Sequence, residues 1–437
     1  MNGAGVHKTG VIALLIAVAA HAQEPQPTPA SPEPISLATA MSTALQQVSA
    51  LQEAQIEEAI AAEDLKQARA ALLPRLRDSF SVSYNSPARP PADPQSPSFI
   101  SQDAIHTYQN LLGVAGDWSF GLMAAVRRSR ALLDAARAGT EVARRALARG
   151  VAEAYYGAAL ATAKRRAAEE SLKAAEEFER ITALNYGAGE VPEVDLIRAR
   201  LQTAARRDEL AQAVQAEAIA NASLGTLLGY GIDRLPLIEP LPQSVAPEEI
   251  AAITGAGVAR RPELVQLEAQ QRAAQADVRA ARADFLPRVS YSVDQGFDTS
   301  SLEPEELRQH RGLLATATLD VPLFDWGATL SRKRQAELRA WGSELQRQLV
   351  ARDLYLQLAA ARQGAATAAQ RVENARRALA DAERNAAISV ARYRAGEAPI
   401  SEATDAQTTL AEQRLVLQQA LADYFVARAH LKEAAGE

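Results

Sequence analysis

The sequence predicts a mainly α-helical protein with a small β part, built as two tandem repeats of long helical hairpins. Three observations support this fold class. The helical windows are dominated by alanine, leucine, glutamate, glutamine and arginine, which are strong helix formers. Each half also contains two short stretches with the alternating pattern of a β-strand. Finally, one motif interrupts the helical pattern twice at a spacing of about 207 residues, which indicates an internal repeat.

The repeated motif has a tyrosine, a glycine three residues later, a proline three after that, and a carboxylate three after the proline. The first copy runs from Tyr186 to Asp195 and the second from Tyr393 to Glu402. Glycine just past a helix end adopts a left-handed turn, and proline fits the first turn of the next helix. The carboxylate meets the positive end of that helix dipole. An ordinary turn explains one copy, but two copies in register predict the tips of two equivalent helical hairpins.

Residues 1–22 have the features of a cleaved secretory signal peptide. Lys8 supplies a positive charge, residues 11–20 form an apolar run, and residues 20–22 match the small-residue cleavage pattern. The apolar run is too short to cross a bilayer as a helix. The sequence contains no cysteine, which excludes disulfides and thiolate sites. We therefore expect an exported chain that is not lipid-anchored through cysteine.

The composition argues against a nucleic-acid-binding protein and against an enzyme. The net charge is −6 and the basic pairs are interspersed with acids, so no basic patch for nucleic acid is expected. None of the five histidines forms a metal-ligand pair at helical spacing. The sequence also lacks a phosphate-binding glycine loop and a nucleophile elbow. We expect no catalytic site, no metal and no cofactor.

The first half begins with a proline-rich lead-in at residues 23–36. Apolar periodicity and proline stops then place a helix at 37–72, a strand at 79–84, a loop at 85–100, a strand at about 108–118, a helix at about 122–186 and a helix at about 192–228. The helix from 122 to 186 would be roughly 100 Å long, which is longer than a compact domain needs.

The second half repeats this order after a linker rich in glycine and proline. A helix starting at 247 or 261 ends at 286, followed by a strand at 289–294, a polar loop with Pro304 and His310, a strand at 313–321, a helix at about 328–393 and a last helix from 399. The predicted organisation is a signal peptide at 1–22, a lead-in at 23–36, a first repeat at 37–229, a linker at 230–250 and a second repeat at 251–437.

The strands bear on how the chain assembles. The two longer ones, at about 108–118 and 313–321, are about 11 and 9 residues long, the length that crosses a bilayer when tilted. Four strands cannot close a barrel in a membrane, and an open sheet would leave edge groups in lipid at a cost of several kcal/mol each. If these strands insert, several copies must share one barrel, and their helices would form a hollow tube. The alternative from the residues alone is two β-hairpins packed on helices in a soluble protein.

Three motifs carry a family resemblance that covers nearly the whole mature chain. They are Arg261-Pro262-Glu263-Leu264 with the alanine-rich run to Phe285-Leu286-Pro287, the segment Val321-Pro322-Leu323-Phe324-Asp325-Trp326-Gly327, and the two Tyr-x-x-Gly tips. In these motifs the chain resembles the TolC-like outer membrane efflux channel family. The resemblance implies a homotrimer, with four strands per chain forming a twelve-stranded transmembrane β-barrel in the outer membrane of a Gram-negative bacterium. It further implies an α-barrel that crosses the periplasm as a passive conduit and docks to a periplasmic adaptor and an inner-membrane efflux transporter.

The resemblance also implies two groups of site residues. The residues that would dock to the adaptor are the tip residues Ala188, Gly189, Glu190, Ala395, Gly396 and Glu397. Glu402 and Asp405, one helical turn apart, would line the periplasmic mouth, and rings of such carboxylates favour cations. Tyr393 and Asp195 match positions that help to hold the mouth closed in related channels. For Glu402 and Asp405 the alternative is an ordinary solvated helix surface.

The chain departs from the family pattern at two places. Ala398 occupies the position, two residues after the second tip glycine, where related channels sometimes have an arginine. The entry to the first long helix reads Trp118-Ser119-Phe120-Gly121 and lacks the Pro-Leu-Phe-Asp-x-x-Gly form of the second half. The closed-state contacts and the end of the second strand are therefore expected to differ from those of relatives.

The alternative function is that of a periplasmic coiled-coil adaptor or scaffold. Such a protein would share both export and long hairpins with the channel. An adaptor would be expected to carry one hairpin flanked by lipoyl-like and β-barrel segments. This sequence instead has two tandem repeats of helices and strands, which favours the channel.

Overall fold

The computed structural model describes residues 34–86, 105–231 and 237–436. The predicted signal peptide at 1–22, most of the lead-in and most of the loop at 85–100 lie outside the described residues. Within the described ranges, no helix combines the length and the apolar character needed to cross a membrane.

The helices and strands follow the predicted order in both halves. In the first half they are α1 (Leu37–Ala44), α2 (Ala50–Ala70), β1 (Arg75–Tyr84), β2 (His106–Trp118), α3 (Phe120–Gly187) and α4 (Glu193–Leu228). In the second half they are α5 (Pro247–Ala252), a 3₁₀ turn (Val258–Arg260), α6 (Pro262–Ala283), β3 (Arg288–Thr299), α7 (Pro304–Gln309), β4 (Arg311–Asp320), α8 (Ala328–Arg394) and α9 (Ile400–Ala435). The two longest helices, α3 and α8, contain 68 and 67 residues and are each roughly 100 Å long, as predicted.

The single helix predicted at 37–72 is broken into α1 and α2. Ser36 caps α1, because its Oγ accepts a hydrogen bond from the Thr39 N–H at 3.2 Å. The buried Ala40 and Ala44 of α1 join the main hydrophobic core, which α1, α3, α4, α8 and α9 share. In contrast, α2 packs mainly along α3. Because of the break, α1 packs into the main core while α2 packs along α3. The helical period of the sequence does not encode this difference in packing partners.

A second difference lies in the predicted polar loop around Pro304 and His310. Six of these residues form the short helix α7, with Pro304 at its first position and Glu305 and Glu306 in its first turn. Both features favour a helix start, because proline needs no N–H there and carboxylates meet the positive end of the helix dipole. The sequence predicts one helix that starts at either 247 or 261. The structure has a short helix, α5, at the first position and a separate helix, α6, at the second.

The four strands form one antiparallel sheet in the order β1-β2-β3-β4. Its central pair, β2 and β3, joins the two halves of the chain. The outer strands β1 and β4 have no strand partner on their outer sides among the described residues, and every residue in both strands is exposed. A single chain therefore leaves both edges of its sheet open.

The two faces of the sheet differ in polarity. The register places Leu76, Val114, Val293 and Ala315 in one row across all four strands. This apolar face also carries exposed large side chains, namely Phe80, Val82, Leu112, Tyr291, Leu313 and Leu319. The opposite face is polar, with serines and threonines on β1, β3 and β4 and an Arg77–Asp294 contact at 3.7 Å.

The helices next to the sheet form a single layer. Their packing order is α2, α3, α6, α8, so α2 and α8 lie at the two ends of this layer. Further from the sheet, α3 pairs with α4 and α8 pairs with α9, and α3 and α9 also pack together. The layer and the two hairpins extend the sheet into a long helical body that ends at the two tips.

Candidate functional site

The two tips predicted from the repeated motif have the same backbone structure. Gly189 has φ +76° and Gly396 has φ +73°, which is the left-handed conformation that glycine adopts without steric cost. The Glu190 N–H donates to the Asn185 carbonyl, and the Glu397 N–H donates to the Arg392 carbonyl, both at 2.9 Å. Together with the glycine N–H bonds at 3.0 Å, these contacts complete a Schellman motif at the end of each long helix.

The returning helices also begin in the same way. Pro192 and Pro399 are the extended residues just before α4 and α9, with ψ 156° and 155°. Asp195 and Glu402 then occupy equivalent places in the first helical turn, where a carboxylate is favoured by the helix dipole. The equivalence of the two tips follows from local sequence, because each step depends on residues within one turn.

The predicted docking residues all lie at the outer ends of the hairpins. The exposed residues are Ala188, Gly189, Glu190, Ala395, Gly396 and Glu397. Their exposure is compatible with binding a partner, and the docking role itself stays a prediction.

The two hairpins contact each other just above the tips through a set of side chains that we call the tip cluster. Its buried members are Phe178, Ala199, Tyr393, Ile400 and Ala403. The rings of Phe178 and Tyr393 lie 5.3 Å apart, and Tyr393 is 7% exposed. The equivalent tyrosine of the first tip, Tyr186, is 41% exposed. The two tips therefore have the same backbone but different surroundings.

The structure does not join the two residues expected to hold the mouth closed. The Tyr393 hydroxyl is buried and has no hydrogen-bond partner within the described ranges. Asp195 is half-buried, and its backbone N–H donates to the Pro192 carbonyl at 3.0 Å. Its carboxylate makes no hydrogen bond or ion pair with the residues that the structure describes. In this conformation Tyr393 packs against Phe178 and so joins the two hairpins. The sequence pattern does not reveal Phe178 as its partner.

This arrangement predicts opposite effects of two substitutions at Tyr393. Tyr393→Phe is expected to raise the melting temperature, because burying an unpaired hydroxyl costs about 1–3 kcal/mol. Tyr393→Ala is expected to lower stability by about 3 kcal/mol, because it removes the ring that packs against Phe178. Circular dichroism during heating measures both. If Tyr393→Phe were as destabilising as Tyr393→Ala, the hydroxyl would have a bonded partner in the assembled protein.

The two predicted mouth carboxylates have different electrostatic environments. The Arg392 guanidinium donates to Glu402 Oε1 at 2.6 Å, and Ser389 Oγ lies 3.5 Å from the same oxygen. Asp405 is exposed, and its side chain makes no hydrogen bond or ion pair with any residue that the structure describes. Glu402 is thus largely compensated within its own chain, whereas the charge of Asp405 is free.

Arg392 was not singled out in the sequence because it lies before the tip and its partner lies after it. Because the chain reverses direction at the tip, the last turn of α8 lies beside the first turn of α9. This arrangement brings Arg392 next to Glu402. The two hairpins also interact electrostatically near the tips. The Arg180 hydrogen bond lowers the pKa of Glu177, and the charge of Arg394 on the other hairpin adds to this effect.

At the other end of the long helices, the two strand-to-helix junctions use different caps. The Asp325 carboxylate accepts from the Gly327 N–H at 3.2 Å and the Thr329 N–H at 2.7 Å. In the first half the Ser119 hydroxyl accepts from the Leu122 N–H at 3.2 Å. The departure from the family motif noted in the sequence is therefore a change of capping residue, and α3 still starts at this point.

Each junction also carries an exposed aromatic pair in edge-to-face contact. Trp118 and Phe120 have ring centroids 5.1 Å apart, and Phe324 and Trp326 have centroids 5.0 Å apart. Both pairs lie between the end of a strand and the start of a long helix, where the sheet meets the helical body. Aromatic side chains are typical of the boundary between apolar and aqueous surroundings in membrane barrels.

Comparison with known proteins identifies relatives over both halves of the chain. The sequence matches the family described as outer membrane efflux protein at residues 40–230 and 257–437. Pyoverdine export outer membrane protein OpmQ of Pseudomonas aeruginosa is 26% identical over 279 residues, which are 62% of this chain and 58% of OpmQ. The aligned part of the chain therefore spans less than two thirds of this relative.

Two solved structures have the same fold. The outer membrane protein VceC of Vibrio cholerae has a TM-score of 0.80 at 21% identity, covering 92% of this chain and 96% of VceC. The CmeC outer membrane channel of Campylobacter jejuni has a TM-score of 0.79 at 19% identity, covering 92% of this chain and 85% of CmeC. These likenesses confirm the fold class of long helical hairpins with a small sheet. The family match, which is to outer membrane efflux proteins, does not favour the adaptor alternative.

The family match includes both tips, both long helices and all four strands. It confirms the resemblance to TolC-like channels, and it is a match to a family of transport proteins. With most of its length matched in this way, the chain belongs to the outer membrane efflux protein family.

Proposed function

We propose that the protein is the outer membrane channel of a tripartite efflux system. Three copies form a passive conduit from the periplasm to the exterior, with a twelve-stranded β-barrel in the outer membrane and an α-barrel in the periplasm. The tips dock to a periplasmic adaptor, which links the channel to an inner-membrane transporter. The chain reaches this place after export with a cleaved signal peptide, and the transporter selects the cargo.

The open, two-faced sheet is the observation that carries this proposal. One face is apolar and largely exposed, and the two edge strands β1 and β4 are exposed along their whole length. Unpaired strand edges are costly in lipid, and closing the sheet with identical neighbours removes them. The polar face, which carries Arg77 and Asp294, then lines an aqueous interior.

The helical body supports the second half of the proposal. Helices of roughly 100 Å lead directly from the sheet to the tips, so a ring of copies would continue the barrel as a long tube. The tube ends where the tip cluster brings the two hairpins together. Asp405, which is exposed and unpaired within the described part of the chain, is placed near this end and supplies negative charge at the proposed mouth.

Measurements on the purified full-length protein test the function. We expect a detergent-extracted trimer from outer membranes, and stepwise conductance when it is added to a planar lipid bilayer. A stable monomer recovered only from the soluble periplasmic fraction would contradict the proposal. Complementation of drug resistance in a Gram-negative host that lacks its own channel tests the link to a pump.

The docking role of the tips predicts a selective loss of efflux. Gly396→Val places a β-branched side chain at φ +73°, a conformation that costs an L-residue about 1–2 kcal/mol and distorts the Schellman turn. We expect resistance in the complementation assay to fall several-fold while trimer yield and bilayer conductance stay unchanged.

Gly364→Val on the same helix is the matched control for Gly396→Val. Gly364 lies inside α8, and a Cβ atom there would meet no other atom within 4 Å. We expect this control to retain resistance. Equal loss of resistance in the two variants would show that the effect comes from the helix and not from the tip.

A further inference from the structure

The layer of helices beside the sheet contains an internal contact that we call the inner seam, where α3 of the first half packs on α6 of the second half. Two ion pairs cross this seam, Arg128–Asp277 at 2.9 Å and Arg272–Asp134 at 3.4 Å. Small buried side chains on the same helices, including Ala131 on α3 and Ala269 and Ala273 on α6, lie among these pairs. The inner seam is therefore close-packed and bridged by charge.

The internal repeat assigns a counterpart to every helix of this seam. α2 corresponds to α6, because each is followed by leucine, proline and arginine and then by a strand. α3 corresponds to α8, because each leads from a strand to a tip. The counterpart of the α3–α6 contact is thus a contact between α8 and α2. One chain cannot make that contact, because α2 and α8 lie at opposite ends of the layer.

One equivalent pair of interactions supports this residue alignment. When the two tips are aligned, Glu344 of α8 is the counterpart of Arg137 of α3. When the prolines before the strands are aligned, Gln271 of α6 is the counterpart of Glu58 of α2. Arg137 contacts Glu58 at 3.6 Å in the first repeat. In the second repeat a hydrogen bond from Gln271 contributes to lowering the pKa of Glu344, after those from Arg347 and Gln348. Both pairs therefore meet at the same place.

The alignment places large apolar residues where the inner seam has small ones. Leu338 on α8 corresponds to Ala131, which is 6% exposed, yet Leu338 is 60% exposed. Ile56 and Ile60 on α2 correspond to Ala269 and Ala273, which are 0% and 5% exposed, yet the isoleucines are 59% and 49% exposed. The positions are equivalent, so the difference in burial reflects a missing neighbour.

The Arg272–Asp134 ion pair of the inner seam is also replaced. Trp341 on α8 takes the place of Asp134, and Ala59 on α2 takes the place of Arg272. Trp341 is 63% exposed, and Leu330, Leu338 and Leu349 extend its stripe along α8. Leu330 and Trp341, and likewise Leu338 and Leu349, are eleven residues apart, a spacing that keeps a stripe nearly straight along a helix.

We propose that these two surfaces form an outer seam in which Trp341 and Leu338 of one copy pack against Ile56, Ala59 and Ile60 of the next. The occupant of the α8 stripe is thus a second copy of this chain. The inner seam combines close packing of small side chains with ion pairs, whereas the outer seam depends on burial of large apolar side chains. Only the outer seam joins separate chains, and apolar burial supplies a driving force for association that salt does not screen. This inference rests on the ring assembly proposed above and identifies the residues that close it.

Disulfide trapping tests the outer seam in the full-length protein, which contains no native cysteine. The test variant combines Ile60→Cys with Leu338→Cys, and mild oxidation in native outer membranes is expected to shift most of the single-chain band on a denaturing gel to linked dimers and trimers. The control combines Ile60→Cys with Ile388→Cys. Position 388 lies about 75 Å further along α8, so this pair is expected to stay unlinked.

The possible outcomes separate this inference from the function. Linked trimers in the test variant alone, with parental conductance after reduction, support the outer seam. An unlinked test variant that still forms conducting trimers overturns the seam and leaves the channel in place, and lipid or another protein would then cover the α8 stripe. A parent protein that neither trimerises nor conducts overturns the proposed function itself.

Discussion

Val293→Arg is expected to abolish assembly of the protein in the outer membrane. Val293 lies at the centre of the apolar face, between Val114 on β2 and Ala315 on β4, and is 45% exposed. An arginine on the lipid-facing side of a membrane barrel costs about 2–4 kcal/mol near the midplane. A trimer would bear that cost in each of its three copies. The summed cost is a large fraction of the free energy of unfolding of an ordinary domain.

The neighbouring residue provides a matched control for Val293→Arg. Ser292 belongs to the same strand but points to the opposite, polar face, where it lies between Ala115 and Thr316. Ser292→Arg is expected to assemble, because the interior of a barrel is aqueous. Outer membrane fractionation followed by gel analysis without heating measures the folded trimer. Equal trimer yields for the two variants would contradict the assignment of the apolar face to lipid.

Asp405→Asn is expected to reduce the cation preference of the proposed channel several-fold in planar bilayers. Its carboxylate is exposed and unpaired among the described side chains, so three copies would present a ring of uncompensated negative charge. Glu402→Gln is expected to have a clearly smaller effect, because Arg392 already bonds that carboxylate at 2.6 Å. The two residues are one helical turn apart, and the order of the effects is set by the Arg392 guanidinium, which pairs with Glu402 and not with Asp405.

Arg392→Ala gives the sharpest check of this order. Removing the guanidinium frees the Glu402 carboxylate, so cation preference is expected to rise above that of the parent. Glu57→Gln, which removes an exposed carboxylate from α2 far from the tips, is the control and is expected to change nothing. Two results would contradict the assignment of Glu402 and Asp405 to the mouth. They are a larger loss of cation preference with Glu402→Gln than with Asp405→Asn, or a fall in cation preference with Arg392→Ala. Neither result would contradict the proposed channel function.

The two strand-to-helix junctions illustrate how much a local motif can reveal. Asp325 and Ser119 are different residues, yet each accepts a backbone hydrogen bond at the start of a long helix. A motif comparison records this as a departure from the family pattern. The physical requirement is an acceptor for unsatisfied N–H groups, and a serine fulfils it as well as an aspartate does.

The tip cluster shows the limit of such local reasoning. Tyr186 and Tyr393 are equivalent in the repeat and in backbone geometry, yet only Tyr393 is buried, because only Tyr393 has Phe178 beside it. Phe178 lies on the other hairpin, more than 200 residues away in sequence. No periodicity within either helix encodes that contact.

The sequence by itself determined the long helices, the strands and the two tips, because these depend on the helical or alternating period and on glycine and proline at single positions. Only the tertiary structure decided that β2 and β3 form the centre of the sheet, that Arg392 neutralises Glu402, and that α2 and α8 lie at opposite ends of the helical layer. These features join segments that are distant along the chain or lie on opposite sides of a turn. Their formation depends on which surfaces become neighbours after folding, and short-range sequence patterns do not encode those long-range contacts.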